Sequence, residues 1–411
     1  MGSTRRTFLM AGGAMALLAG CGGGYSESPA AIDDPMLRPQ PNPGWDAWVA
    51  SFRGRALSHG ISSGTYDAAF RSAGFLPGVV ERDRSQTEFS RTLEDYLAIT
   101  ANEQKVSQGR VELGRNMGVL REIEARYGVP PHVVCAFWGM ESSYGTRRGD
   151  IPVISACSTL AYDGRRGSFF ESQTLAALRI LERGDVAPAH LTGSWAGAMG
   201  HTQFIPTTFQ SYAVDFRGDG RRDIWSDDPT DGLASTANYV ARSGWRRGEP
   251  WGVEVLLPAG GAGMAGGSRS GAGWASAGVR AASGGALPSG TGKLLLPEGA
   301  SGPAFLIYPN FNVILRYNNA QNYAIGVGHL SDRLLGAGPL RGSFPPDRYG
   351  LTIEDRRELQ GRLNSAGFDA GTPDGVLGKK STTAIEGYQA RVGLPVTGEP
   401  SQGLLAQLRR G

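Results

Sequence analysis

Apolar residues at Leu113, Met117, Leu120, Ile123 and Tyr127 recur every three or four positions, and the pattern stops at Gly128 and Pro130-Pro131. That spacing puts them on one face of a helix, which must be buried against other helices. The same period predicts a helix from His132 into Glu141 and further helices over 169–183, 232–244 and 320–335, so the body reads as mainly α. Residues 258–302 are rich in Gly, Ala and Ser, a composition that also suits disorder. Short apolar runs border them, however, at 253–257 and 294–296, followed by 304–308 and 313–317, and these read as strands of a small sheet. The class is therefore α+β with helix dominant, and 336–349 reads as a linker.

The chain begins Ser3-Thr4-Arg5-Arg6-Thr7-Phe8-Leu9, continues into an apolar stretch over 10–20 too short to span a bilayer, and reaches Leu18-Ala19-Gly20-Cys21. This order resembles a Tat-type lipoprotein signal over 1–20 with Cys21 as the lipidated residue. It implies export to the periplasm on a lipid anchor. Gly22 stands where an aspartate would mark inner-membrane retention, which implies the outer membrane. Residues 21–44 read as a flexible tether, with structure starting near Trp45. The formal charge of +3 loses two arginines with the signal, leaving no basic footprint for nucleic acid. Of the remaining thiols, Cys135 and Cys157, an oxidising compartment permits a disulfide, and two buried free thiols are an equal reading.

Glu141 lies in Phe137-Trp138-Gly139-Met140-Glu141-Ser142-Ser143-Tyr144-Gly145, with Phe137 and Trp138 four and three residues earlier on the same helical face. An apolar wall and the negative end of a helix stopping near Gly145 both disfavour the carboxylate, so its pKa should rise. A carboxyl that keeps its proton near neutral pH is what protonation of a glycosidic oxygen requires. A second cluster, Ser194-Trp195-Ala196-Gly197-Ala198-Met199-Gly200-His201-Thr202-Gln203-Phe204, sets small residues beside bulky ones. Small residues allow a backbone or a sugar to approach closely. A third, Tyr317-Asn318-Asn319-Ala320-Gln321-Asn322-Tyr323, offers aromatic faces and amides suited to sugars.

These three stretches, in this order, resemble the membrane-bound lytic murein transglycosylase B family from about Trp45 to Leu340. The resemblance implies a lysozyme-like helical catalytic core over 45–340 with a small strand-bearing subdomain. It places the catalytic glutamate on Glu141 and the glycan groove on Ser194, Met199, Gln203, Tyr239, Tyr317, Asn318 and Tyr323. Arg165 and Arg166 match paired arginines that would meet lactyl or peptide-stem carboxylates. The implied reaction is non-hydrolytic cleavage of the β-1,4 bond between N-acetylmuramic acid and N-acetylglucosamine, with one carboxyl acting as acid and then as base. No cofactor is required, and the protein is expected to act as a monomer.

Residues 350–411 read as a separate unit of three helices, over 353–366, 381–392 and a short last one, joined through Gly371-Thr372-Pro373-Asp374-Gly375. Asp374-Gly375, Gly378, Ala384, Tyr388-Gln389, Gly393-Leu394 and Gly398 resemble the peptidoglycan-binding type 1 domain. A bare helical cap without a ligand is the alternative.

Asp215-Phe216-Arg217-Gly218-Asp219-Gly220-Arg221-Arg222-Asp223 resembles the calcium loop of some family members, with Asp215, Asp219, the Arg221 carbonyl and Asp231 as the ligand set. Arg217 occupies a position where an oxygen ligand belongs, and Ser226 replaces the terminal acid, so a metal-free turn is the competing expectation. The five histidines show no paired spacing for zinc. Two rival functions stand beside the transglycosylase. A hydrolytic muramidase would need a second acid such as Asp150 or Asp163, and a non-catalytic lipoprotein would only bind peptidoglycan.

Overall fold

The computed structural model describes residues 34–85 and 91–410. The expected export signal, Cys21 and the expected tether as far as residue 33 lie outside the described residues. The chain is ordered earlier than Trp45. Asp34 caps a 3-10 turn at Pro35–Leu37 through the Met36 N–H and pairs with Arg82 at 2.9 Å, and Gln40 bridges Phe75. Prolines that look like tether composition thus start helical turns instead, since a fixed φ and a missing donor cost nothing there.

Four helices follow: α1 (Pro43–Ser58), α2 (Ser63–Phe70), α3 (Pro77–Arg84) and α4 (Leu93–Thr100). The stripe that opens the sequence argument is two helices, α5 (Glu103–Arg115) and α6 (Met117–Tyr127), rather than one. Asn116 breaks it: its side-chain amide donates to the Glu112 carbonyl at 2.9 Å, competing with the helical ladder. Next come α7 (Pro131–Ser142), α8 (Val153–Asp163), α9 (Gly167–Arg183), α10 (Pro206–Tyr212) and α11 (Thr230–Arg242), with a two-residue ribbon of β1 (Ile151–Pro152) and β2 (Thr192–Gly193). Val134, Phe137, Leu120 and Ile123 are fully buried in one core, and each such side chain contributes about 1.5–3 kcal/mol by leaving water.

The glycine-rich insert forms a five-stranded antiparallel sheet in the order β4-β6-β7-β3-β5. Its strands are β3 (Gly252–Leu256), β4 (Ser268–Ser270), β5 (Arg280–Ala281), β6 (Thr291–Leu295) and β7 (Ala304–Ile307), with the six-residue helix α12 (Gly271–Ser276) between β4 and β5. Trp274 fills its core and donates to the Gly292 carbonyl at 2.8 Å. Residues 313–317, expected as a strand, belong instead to helix α13 (Pro309–Tyr317). Pro309 starts it, and Phe311 and Ile314 recur at helical spacing on its buried side. Helix α14 (Gln321–Leu334) then runs back along α7. No helix of the described residues is long and apolar enough to cross a membrane.

The last helices, α15 (Ile353–Ser365), α16 (Lys379–Arg391) and α17 (Gln402–Leu408), enclose a core of their own that includes Leu359, Leu363, Ile385 and Leu405. A buried cation joins this unit to the body. The Arg356 side chain, 3% exposed, reaches Glu94 at 2.7 Å and Asp95 at 2.9 Å in the first turn of α4, and Asp347 at 3.2 Å in the linker. Its Nε also donates to the Gly375 carbonyl at 2.8 Å. The planar fork lets one guanidinium satisfy four acceptors, which a lysine cannot do. Arg356→Ala would leave three clustered carboxylates without their cation and should destabilise docking by about 3–5 kcal/mol. Scanning calorimetry should then show the C-terminal unit unfolding apart from the body, whereas unchanged cooperative unfolding in the variant would show that Arg356 does not couple them.

Candidate active site

The site is built on the end of α7. Pro130 and Pro131 set the helix start, and the run from Val133 to Gly139 is buried throughout. The helix ends at Ser142, three residues earlier than Gly145, because Ser143 (φ 48°) and Tyr144 (φ 57°) both turn left-handed. Such a conformation costs a non-glycine residue roughly 1–2 kcal/mol. Burial of the Tyr144 ring offsets it: a Cβ on Gly139 would come within 2.6 Å of the ring, and one on Gly109 within 2.2 Å of its hydroxyl. Glycine at both places is therefore a packing requirement.

Just before this sharp end stands Glu141. The Tyr323 hydroxyl of α14 donates to its Oε1 at 2.5 Å, and no hydrogen bond of the described residues occupies Oε2. Protein surrounds the carboxyl closely although the residue keeps an accessible edge. Burial pushes its pKa up to about 7, and the Tyr323 bond and the Lys105 ammonium offset only part of this rise. Burial and the Glu141 charge together push the Tyr323 phenol well above its ordinary value, so it remains a donor.

The three sequence clusters meet here through aromatic contacts. Tyr317 is the hub, with ring centroids 4.9 Å from Phe137, 5.8 Å from Phe204, 4.9 Å from Tyr239 and 6.5 Å from Tyr323. Its hydroxyl donates to the Thr202 carbonyl at 2.6 Å, and that of Tyr239 to the Arg316 carbonyl at 2.5 Å. Apolar ring faces with their polar tips tied to backbone suit a sugar-stacking wall. Asn318 has a buried Oδ1 with no hydrogen-bond partner among the described residues.

The small-residue loop forms because two glycines go where side chains cannot. Gly200 (φ 61°) would put a Cβ 2.1 Å from the Ile224 carbonyl oxygen, and Gly197 (φ 81°) would put one 2.6 Å from the Cys157 sulfur. Ser194 Oγ accepts the Ala198 N–H at 3.1 Å, and the Met199 backbone bridges both Gly193 and Phe204, its side chain fully buried. Gln203 (φ 50°) donates through Nε2 to the Gly200 and Arg148 carbonyls at 2.9 and 3.1 Å. Met199 thus supports the loop rather than facing a groove. Sequence spacing did not single out His201, which sits beneath this loop against Trp138 at 3.0 Å.

Other expected residues do different work. Arg165 and Arg166 both bond to the buried carboxylate of Asp83 on α3, so their charge is already engaged. Aspartate on α3 was invisible as their partner because 82 residues separate it from Arg165. Cys135 and Cys157 are free, buried thiols and form no disulfide. Cys135 contacts the Gly109 carbonyl at 3.6 Å, whereas Cys157 lies under Gly197, so the two sit in different cores.

In the acidic loop the carboxylates bond to their own backbone. Asp215 accepts the Gly218, Asp219 and Gly220 N–H groups, Asp219 accepts Arg221 N–H, and Asp231 accepts those of Phe216 and Asp223. Arg217 reaches out to Glu122 at 2.6 Å. Among the described residues no three or more His, Cys, Asp or Glu side chains converge as a metal cage. The loop is held by carboxylate-to-backbone bonds and by Arg222 on buried Asp185 at 2.6 Å.

Comparison with known proteins agrees with this geometry. Residues 44–332 match the family described as the transglycosylase SLT domain, and 352–408 match the putative peptidoglycan binding domain. SltB3 of Pseudomonas aeruginosa, solved with NAG-anhNAM-pentapeptide, is 46% identical with a TM-score of 0.71, covering 89% of this chain and 99% of that one. The Escherichia coli lytic transglycosylase Slt35, solved with calcium, is 26% identical with a TM-score of 0.60 over 74% of this chain and 98% of its own. Membrane-bound lytic murein transglycosylase B of Escherichia coli is 33% identical over 208 residues, which are 50% of this chain and 56% of that relative. The chain therefore aligns with only a little over half of that protein's length.

The raised pKa of Glu141 has a consequence for stability. Below pH 4.5 both folded and unfolded chains hold the proton; as pH rises towards about 7 the unfolded chain releases it first, so stability falls. The loss is complete above about 7 and amounts to at most about 3 kcal/mol, less whatever solvent screens at the open edge. Glu141→Gln should match the parent's melting temperature in acid and exceed it at about pH 8. A gap that does not widen with pH would show that the carboxyl is not desolvated.

Proposed function

The chain belongs to the transglycosylase SLT domain family, and from that premise we propose that it cleaves the β-1,4 bond between N-acetylmuramic acid and N-acetylglucosamine without water, leaving 1,6-anhydro ends. One observation carries the reading: Glu141 is a desolvated carboxyl whose Oε1 is taken by Tyr323 and whose Oε2 has no hydrogen bond among the described residues. With its proton on Oε2, it protonates the leaving glycosidic oxygen. As carboxylate, it then takes the proton of the muramyl C6 hydroxyl while that oxygen closes onto C1. The nucleophile is part of the substrate, so proximity replaces an activated water and no second carboxylate is needed. Tyr323 steadies the carboxylate between the two steps.

Tyr317, Tyr239, Asn318, Gln203 and Ser194 line the proposed glycan groove, and the product-like ligand of SltB3 supports a groove that holds sugar and peptide stem together. A muramidase would draw on Asp150 or Asp163. Asp150 is exposed, Asp163 is bound to Arg84 at 2.5 Å, and the charge acting on Glu141 is that of Lys105. The C-terminal unit keeps the enzyme on its polymer. A Tat-dependent lipid anchor at Cys21, in the outer membrane, and a monomeric state complete the proposal, and no cofactor enters the reaction.

Mass spectrometry of muropeptides released from purified peptidoglycan should show anhydro ends with the parent. Glu141→Gln should release them about 100-fold to 10,000-fold more slowly. Reducing ends would establish a hydrolase, and release by neither protein would leave a binding protein. Calcium and a chelator should leave the melting temperature unchanged; a rise of several degrees in calcium would show that the loop binds the ion after all.

A further inference from the structure

His201 makes a set of contacts that the reaction as written does not use. Its ring, in a residue 3% exposed, lies between the last turn of α7 and the loop 223–228. The Trp138 indole N–H donates to Nδ1 at 3.0 Å, and Nε2 lies 2.8 Å from the Ser226 carbonyl oxygen. The His201 carbonyl accepts the Ser142 hydroxyl at 2.9 Å, and its N–H donates to the Ile224 carbonyl at 2.9 Å. An indole N–H only donates and a backbone carbonyl only accepts, so a single tautomer satisfies both neighbours: Nδ1 bare, Nε2 carrying the proton. An imidazolium would point an N–H at the indole N–H.

The ring has little freedom to turn away. A Cβ on Gly145 would come within 2.5 Å of its Cε1, and one on Gly232 of α11 within 2.8 Å of the His201 Cβ. The charges around it are Arg148, Asp223, Asp227 and Asp228. Burial is the largest effect and lowers its pKa, Arg148 acts in the same direction, and the Ser226 carbonyl, Asp223 and Asp227 oppose them. The two α7 residues that His201 holds, Trp138 and Ser142, lie on either side of Glu141 in sequence.

We infer that His201 is a positioning residue for Glu141, holding the last turn of α7 against the groove loop only as the neutral Nε2–H tautomer. This rests on the reading of Glu141 as the catalytic acid. Protonation of His201 breaks the Trp138 bond and loosens the turn that aims the carboxyl. An acid that must start protonated does not by itself lose activity as pH falls, so the acid limb of the rate profile belongs to His201.

The test is kcat and KM against pH for anhydro-muropeptide release by the parent, His201→Gln and His201→Phe, with 15N NMR of the parent imidazole. A glutamine amide offers one acceptor and one donor and does not titrate. His201→Gln should keep kcat within a few-fold at neutral pH and lose the acid limb. His201→Phe should lose kcat on the order of 100-fold with KM little changed. The spectrum should show Nε2 protonated and Nδ1 bare. An acid limb that persists in His201→Gln, or a ring protonated on Nδ1, overturns the inference. Glu141→Gln run in parallel separates the two readings: full activity there would overturn the assignment of the acid, whereas an Nδ1–H ring overturns only the role of His201.

Discussion

The Tyr323–Glu141 hydrogen bond is the contact around which the catalytic body is organised, since it fixes α14 against α7 at the point where the chemistry is proposed. Two helices can come this close because α14 omits side chains where it crosses its neighbours. A Cβ on Gly326 would lie 2.9 Å from the Tyr96 ring and 3.1 Å from the Met140 methyl, and one on Gly328 would lie 2.2 Å from the Trp251 ring. Close approach dries the carboxyl, and a dry carboxyl holds its proton. The same bond that keeps the acid in place also limits how far its pKa rises, so one contact tunes both geometry and protonation.

Strain gathers where this precision is needed. Among the described residues, the non-glycine positions with positive φ are Ser143, Tyr144 and Gln203, and all three border Glu141 or the facing loop. Strained conformations persist only where their surroundings overdetermine them. Here Tyr144 is pinned by Gly139 and Gly109, and Gln203 by two carbonyls. Arg356 extends the same economy to the C-terminal unit, because α4, which it grips, packs through Tyr96 and Thr100 against Gly326. The C-terminal unit and helices α7 and α14 are thus linked through a short series of packed elements.

Helices over the periodic stretches, the strands bordering the glycine-rich insert and the three-helix tail were legible because each follows from local period and turn chemistry. So was Glu141, marked by the apolar residues one turn before it. What misled were local patterns with a distant competitor. Residues 313–317 form a short apolar run that reads as a strand until Pro309 and the packing of Phe311 and Ile314 make them helical. Arg165 and Arg166 look available until Asp83 folds beneath them, and for Cys135 and Cys157 a disulfide and two free thiols stay open until each is seen in its own core.

By itself, the sequence determined the mainly helical class and the separate C-terminal unit and marked Glu141 as the candidate acid, because period, turn residues and neighbouring side chains act over a few positions. Only the tertiary structure decided that Tyr323 is the partner of Glu141, that His201 braces its helix, that the acidic loop is satisfied by its own backbone and that Arg356 locks the two units. Those outcomes depend on which groups lose water together, and desolvation is a property of residues brought into contact from distant parts of the chain.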